Sequence, residues 1–225
     1  MVRAKFFART ALGLALAMGV AGGSVIAPAM AVPQSFYSEF AAWLAGLGYT
    51  TWTFDYRGTG FNVVDNGHTV QVNMGAGNSI QVGGRRYELV QFHFHRPSEE
   101  RIDGKQFDMV VHLVHKDLDG RLAVVAVLLD RGAAQPLIQN VWNNLPLEKG
   151  DEVVARAPIN LNDLLPPQRQ YFTYMGSLTT PPCSEDVRWV VMRQPVTMSP
   201  DQIELFARMY PMNARPVQQA AGRRI

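Results

Sequence analysis

From Thr50 onward the chain changes character at every second residue, and a period of two confines it to extended strands laid against one another. The stretch Thr69-Val70-Gln71-Val72-Asn73-Met74 alternates polar and apolar side chains as a half-buried strand does. Turn residues cut the pattern into short segments at Asn66-Gly67, Gly75-Ala76-Gly77-Asn78, Gly83-Gly84 and Asp119-Gly120. The run Leu122 to Leu129 is apolar throughout, which suits a strand at the centre of a sheet covered on both faces. Asp186 to Met192 is a further strand candidate. Helical spacing is confined to two places. Phe36, Phe40, Trp43, Leu44 and Leu47 form one stripe, with Ser35 as N-cap and Gly48 as stop. Ser199-Pro200-Asp201-Gln202 is a capping signal ahead of Ile203, Phe206, Ala207 and Tyr210. The expectation is one β-rich domain with peripheral helices.

Length agrees, since 225 residues leave little room for a second domain. Hydrophobic residues at 47% and charged residues at 18% allow a substantial core and exclude a disordered chain. Lys+Arg number 21 against 19 Asp+Glu, but Arg3, Lys5 and Arg9 lie in the first ten residues, so the remainder is close to neutral. No strong electrostatic pull on nucleic acid is expected. The basic start, the uncharged run from Thr10 to Tyr37 and the small-residue site Ala29-Met30-Ala31 are expected to form a cleaved secretory signal over residues 1–31. The run is long enough to span a bilayer, but Gly13, Gly19, Gly22, Gly23 and Pro28 interrupt it, so no stable membrane anchor is expected. No cysteine follows the site, which excludes a lipoprotein. The single Cys183 cannot form an intrachain disulfide.

All five histidines lie between His68 and His115. In Gln91-Phe92-His93-Phe94-His95, strand geometry places His93 and His95 on one face and both phenylalanines on the other. A second strand-like run, Met109 to His115, can add His112 or His115 to that face, but not both, because they are three apart. Three neutral imidazoles around Zn²⁺ leave one tetrahedral position for water, the arrangement of a catalytic site. One thiol rules out a closed cysteine-rich zinc site. Alone, an HxH pair is also compatible with two ordinary strand histidines.

Three motifs in order sharpen the reading: His93-Phe-His-Arg-Pro-Ser-Glu99, His112-Leu-Val-His115 and Gly176-Ser-Leu-Thr-Thr-Pro-Pro-Cys183. On these residues the chain, from about Phe54 to Ile225, resembles the α-class carbonic anhydrases, most closely the exported bacterial ones. The resemblance implies a mainly β single domain built on a large, mostly antiparallel central sheet with short peripheral helices. It implies His93, His95 and His112 as ligands of Zn²⁺ and His115 as a buried structural histidine. His68, in Asn66-Gly67-His68, matches the proton shuttle, a role that imidazole chemistry suits. Thr179 matches the hydroxyl that orients the nucleophile, with Glu99 accepting its proton. Val114, Leu178, Thr180, Val187 and Trp189 match the pocket for carbon dioxide and bicarbonate. Gln91 resembles the partner of the first ligand, and Asn213-Ala-Arg215 the segment whose backbone supports the second.

Two departures accompany the match. Family members carry Glu two residues before the third ligand, where this chain has Val110, and Ser-Glu-His where it has Ser98-Glu99-Glu100. Either Glu100 supplies the lost carboxylate from the other side, or His112 is held less firmly. The amino-terminal block, including the partner that the resemblance implies for Cys183, has no counterpart between Ala31 and Thr53. Residues 32–53 are therefore expected to be an atypical segment with a short helix, and 54–225 the family-like domain. A sheet edge left bare there could be covered by that helix or by a homodimer. The expected activity is zinc-dependent reversible hydration of carbon dioxide in the periplasm or outside the cell. A non-catalytic binding protein of the same fold and a zinc esterase are the alternatives.

Overall fold

The computed structural model describes residues 17–20, 23–26, 38–47, 50–55, 60–155, 157–219 and 222. In chain order it begins with β1 (Ala17–Val20), β2 (Gly23–Ile26), α1 (Ser38–Gly46), β3 (Thr50–Asp55), β4 (Phe61–Asp65), β5 (Val70–Met74) and β6 (Ser79–Val82). The middle contains β7 (Arg85–His95), β8 (Arg101–Ile102), β9 (Lys105–Gln106), β10 (Met109–Lys116), β11 (Leu122–Arg131) and α2 (Pro136–Trp142). It ends with β12 (Glu152–Val154), β13 (Tyr171–Gly176), β14 (Val187–Met192), β15 (Val196–Met198) and α3 (Pro200–Met209).

Among the described residues thirteen strands join one sheet, whose main path runs β1-β2-β3-β6-β7-β10-β11-β14-β13. Pairing is antiparallel except where β2 meets β3 and where β11 meets β14 and β15. The mainly β, mostly antiparallel architecture is therefore as expected. Alternation along each strand splits the interior in two. Phe92 and Phe94 of β7, Val111 and Leu113 of β10, and Val125 and Val127 of β11 bury into one apolar layer, which α2 and α3 cover with Ile138, Trp142, Ile203 and Phe206. Val110, Val124, Ala126, Leu128, Val187, Trp189 and Val191 form a smaller layer on the opposite face. The Leu122–Leu129 run has no polar position because β11 is covered on both sides.

Helix α3 starts as its sequence requires. The Ser199 side chain accepts from the Gln202 N–H, and the Gln202 side chain reciprocates on Ser199, with Pro200 at the first helical position. Helix α1 differs from the expected stripe. Ala41 and Leu44 are buried and the helix packs on β3, whereas Phe40, Trp43 and Leu47 face solvent at 40–59% exposure. Phe40 and Trp43 stack on each other at 5.8 Å instead of entering the core. Among the described residues β3 is the main neighbour of α1, which buries its narrow Ala41–Leu44 side and leaves its bulky side outside. Ser35, Phe36 and Gly48 lie outside the described residues. Two pieces of the expected leader, β1 and β2, continue the sheet beyond β3 in the full chain, β2 running parallel to it.

Candidate metal centre

The site stands on β7 and β10, which pair so that His112 lies directly opposite His93. Because Phe92 and Phe94 occupy the large core, His93 and His95 emerge on the other face, and His112 joins them from the neighbouring strand. The ring centroids are 4.9 Å apart for His93 and His95, 5.5 Å for His93 and His112, and 4.8 Å for His95 and His112. One ligand nitrogen from each ring lies within 4.8 Å of the others. The register between β7 and β10 shifts between Val114 and His115. His115 stays fully buried, where burial pushes it down to about 3 while hydrogen bonds with the backbone of Leu113 and Ala123 oppose the shift.

Each ring has one nitrogen already committed. His93 donates through Nδ1 to Gln91 Oε1 at 2.9 Å, and His95 donates through Nδ1 to the Asn213 carbonyl at 3.1 Å. His112 donates through Nε2 to Glu100 Oε1 at 2.8 Å. The Gln91 amide oxygen and the Asn213 carbonyl can only accept, and Glu100 accepts as a carboxylate, so these bonds leave Nε2, Nε2 and Nδ1 as the lone-pair nitrogens. His95 Nε2 is buried without a hydrogen-bond partner, an orphan that a metal would satisfy. Burial, reinforced by His112 and His95, holds His93 well below the usual imidazole range. Burial and His95 push His112 down to about 3 against the opposing pull of Glu99. Neutral imidazole is the ligating form, so at His93 and His112 no proton has to be displaced when a cation arrives. Since His112 is neutral, its contact with Glu100 is a hydrogen bond rather than an ion pair; burial pushes the Glu100 carboxyl up to about 7. Three nitrogen donors and no thiolate match tetrahedral Zn²⁺ with one open position.

Val110 supplies no polar group. It is fully buried in the smaller apolar layer, and Glu100 reaches His112 from the segment that follows β7. Glu99 Oε1 accepts from the Arg215 N–H at 2.6 Å, while its Oε2 is buried without a hydrogen-bond partner. Thr179 and Glu99 line the same cavity, of about 370 Å³, but no hydrogen bond joins them. The three histidines do not line that cavity; Glu100, Phe172, Tyr174 and Trp189 do. Trp189 meets the His112 ring edge-on at 4.9 Å. Of the other expected pocket residues, Val187 is buried in the apolar layer, Val114 and Leu178 pack against it, and Thr180 is exposed.

His68 is exposed on the turn from β4 to β5, three residues before Gln71, which pairs with His93. Gly67 takes φ +82°, a backbone conformation that favours glycine. The Asn66 side chain accepts from the His68 and Thr69 N–H groups. Sequence reasoning missed the polar fasteners of this turn, Tyr210 to Asp65 and Asn213 to the His68 carbonyl, both spanning 145 residues. No local period signals a contact of that span.

Residues 45–225 match the family described as eukaryotic-type carbonic anhydrase. A carbonic anhydrase of Nostoc sp. is 47% identical over 73% of this chain and 62% of its own length, and one of Pectobacterium atrosepticum is 45% identical over 72% and 66%. The match thus spans less than two thirds of those relatives. Among solved structures, the Photobacterium profundum α-carbonic anhydrase superposes with a TM-score of 0.74 at 43% identity, covering 76% of this chain and 79% of that one. The α-carbonic anhydrase of Thermovibrio ammonificans in complex with sulfanilamide gives 0.75 at 42% identity, covering 77% of each. With the three-histidine centre in place and most of its length matched, the chain belongs to the α-class carbonic anhydrase family.

Proposed function

We propose that the chain is a zinc-dependent carbonic anhydrase that interconverts carbon dioxide with bicarbonate and a proton. The carrying observation is the set of three convergent imidazoles, each with its other nitrogen tied down by a hydrogen bond. His93, His95 and His112 would hold Zn²⁺, whose chemistry there would be to lower the pKa of a water to about 7, the value known for carbonic anhydrase itself. Gln91, the Asn213 carbonyl and Glu100 hold the imidazoles. Thr179 and Glu99, which line one cavity, would orient the nucleophile. The apolar layer around Val187 and Trp189, with Val114, Leu178 and Thr180 at its border, keeps competing water from carbon dioxide. His68, exposed on the turn from β4 to β5, passes the released proton to bulk. The leader over residues 1–31 directs the protein to the periplasm or the exterior, and the exposed face of α1 is available to a homodimer. Metal analysis and stopped-flow hydration of carbon dioxide on the zinc-loaded chain test the proposal. About one zinc per chain with buffer-dependent turnover is expected; a zinc-loaded chain without hydration activity overturns it. The buried Val110 favours one second reading, a non-catalytic binding protein with a weakened site, for which the purified chain would hold no zinc.

A further inference from the structure

Asn213 follows α3 and makes five hydrogen bonds. Its N–H donates to the Arg96 carbonyl at 3.0 Å and its Oδ1 accepts from the Arg96 N–H at 2.8 Å. Its Nδ2 donates to the His68 and Phe94 carbonyls, each at 3.0 Å. Its own carbonyl accepts from His95 Nδ1. The backbone of this one residue therefore holds a metal-binding imidazole, while its side chain bridges the His68 turn to strand β7. The same turn is fastened a second time by Tyr210, whose hydroxyl donates to Asp65 Oδ1, the atom that also accepts from the Gly67 N–H. His68 is exposed, so only its backbone sets where its imidazole swings.

We propose that the Asn213 side chain is a positioning residue for proton transfer: it fixes the His68 turn relative to the strand bearing His93 and His95. The inference rests on the reading of His68 as the proton relay. A relay works only within hydrogen-bond reach of its donor, directly or through a water, so a loosened turn lowers the fraction of productive geometries. His95 itself is held through the Asn213 carbonyl, which any residue at 213 retains, whereas the side chain bonds the Phe94 carbonyl and the Arg96 N–H on either side of it.

Asn213→Asp separates the two functions, because it keeps the acceptor for Arg96 and replaces the Nδ2 donor with an oxygen facing two carbonyls. Asn213→Ser is the companion should the charged variant fail to fold. The measurements are zinc affinity by chelator competition, turnover across buffer concentrations with and without imidazole, and amide exchange over Gly67 to Thr69 in the metal-free chain. Expected are turnover at low buffer reduced about 10-fold and restored by imidazole, a loss of zinc affinity smaller than that loss of turnover, and exchange at the turn about 10-fold faster. His68→Ala is measured alongside, and the double variant should be no slower at low buffer than His68→Ala alone. If His68→Ala shows the buffer-dependent defect and the Asn213 variants do not, the inference fails while the relay reading stands. Zinc affinity lost by 10-fold or more, or rates lowered equally at every buffer concentration, would reduce Asn213 to a structural role. His68→Ala with parent-like turnover at every buffer concentration defeats the relay reading and the inference with it.

Discussion

At the scale of single residues, the centre depends on which nitrogen each imidazole leaves free. His93→Ala removes one of three donors, and the purified variant should contain almost no zinc by atomic absorption; undiminished metal content would move the site elsewhere. Glu100 carries the sharpest substitution. A carboxylate partner of a zinc-bound histidine typically changes affinity by about 10–100-fold, so Glu100→Gln should weaken zinc binding by about 10-fold in chelator competition. Val110→Glu combined with Glu100→His should bind zinc as tightly as the parent. Parent-like affinity in Glu100→Gln would show that the bond to His112 does not hold the metal. His115 gives a pH prediction. Its folded pKa of about 3 lies below the unfolded imidazole value near 6.5, so the unfolded chain takes up the proton first. Stability should therefore fall as pH drops from about 6.5 toward 3, by roughly 1.4 kcal/mol per pH unit for this group. In metal-free protein, His115→Gln should flatten the decline in Tm between pH 6.5 and 4; an unchanged slope would assign the acid sensitivity to other groups.

At the scale of elements, α2 and α3 are locked by one buried amide. Gln202 Oε1 accepts from the Ser199 and Gln135 N–H groups, and its Nε2 donates to the Gln135 carbonyl, so it caps α3 and anchors the residue that caps α2. Gln202→Ala leaves buried backbone groups without partners and should cost about 2–4 kcal/mol in denaturant unfolding with zinc stoichiometry unchanged. A loss below about 0.5 kcal/mol would mean that other groups satisfy these partners. The capping role of Gln202 was legible in Ser199-Pro-Asp-Gln202, because capping is set by residues three apart. Its bond across 67 residues to Gln135 was not. Strand β7 was legible for the same reason: a period of two tells His93 and His95 from Phe92 and Phe94. Helix α1 was legible as a helix, but not in which side it buries, since Phe40 and Trp43 satisfy helical spacing whether they face β3 or solvent.

At the scale of the whole molecule, β1 and β2 are, among the described residues, paired to the rest of the sheet through β3, so removing residues 1–31 should leave the layers around β7, β10 and β11 intact. The shortened chain should keep its zinc stoichiometry and far-ultraviolet spectrum, and its uncovered β3 edge should raise self-association in sedimentation. Loss of cooperative unfolding in that chain would show that residues 1–31 are part of the folding unit. The sequence by itself determined the class of fold and the identity of the donors, because strand period, turn glycines, helix caps and the histidine motifs are all encoded within a few neighbouring residues. Only the tertiary structure decided that β10 pairs with β7 in the register that sets His112 against His93. It also decided that Glu100 reaches His112 where Val110 cannot, and that Asn213 ties the His68 turn to the ligand strand. Such contacts join residues 12 to 145 positions apart, and their geometry follows from how strands register and layers pack rather than from any local pattern.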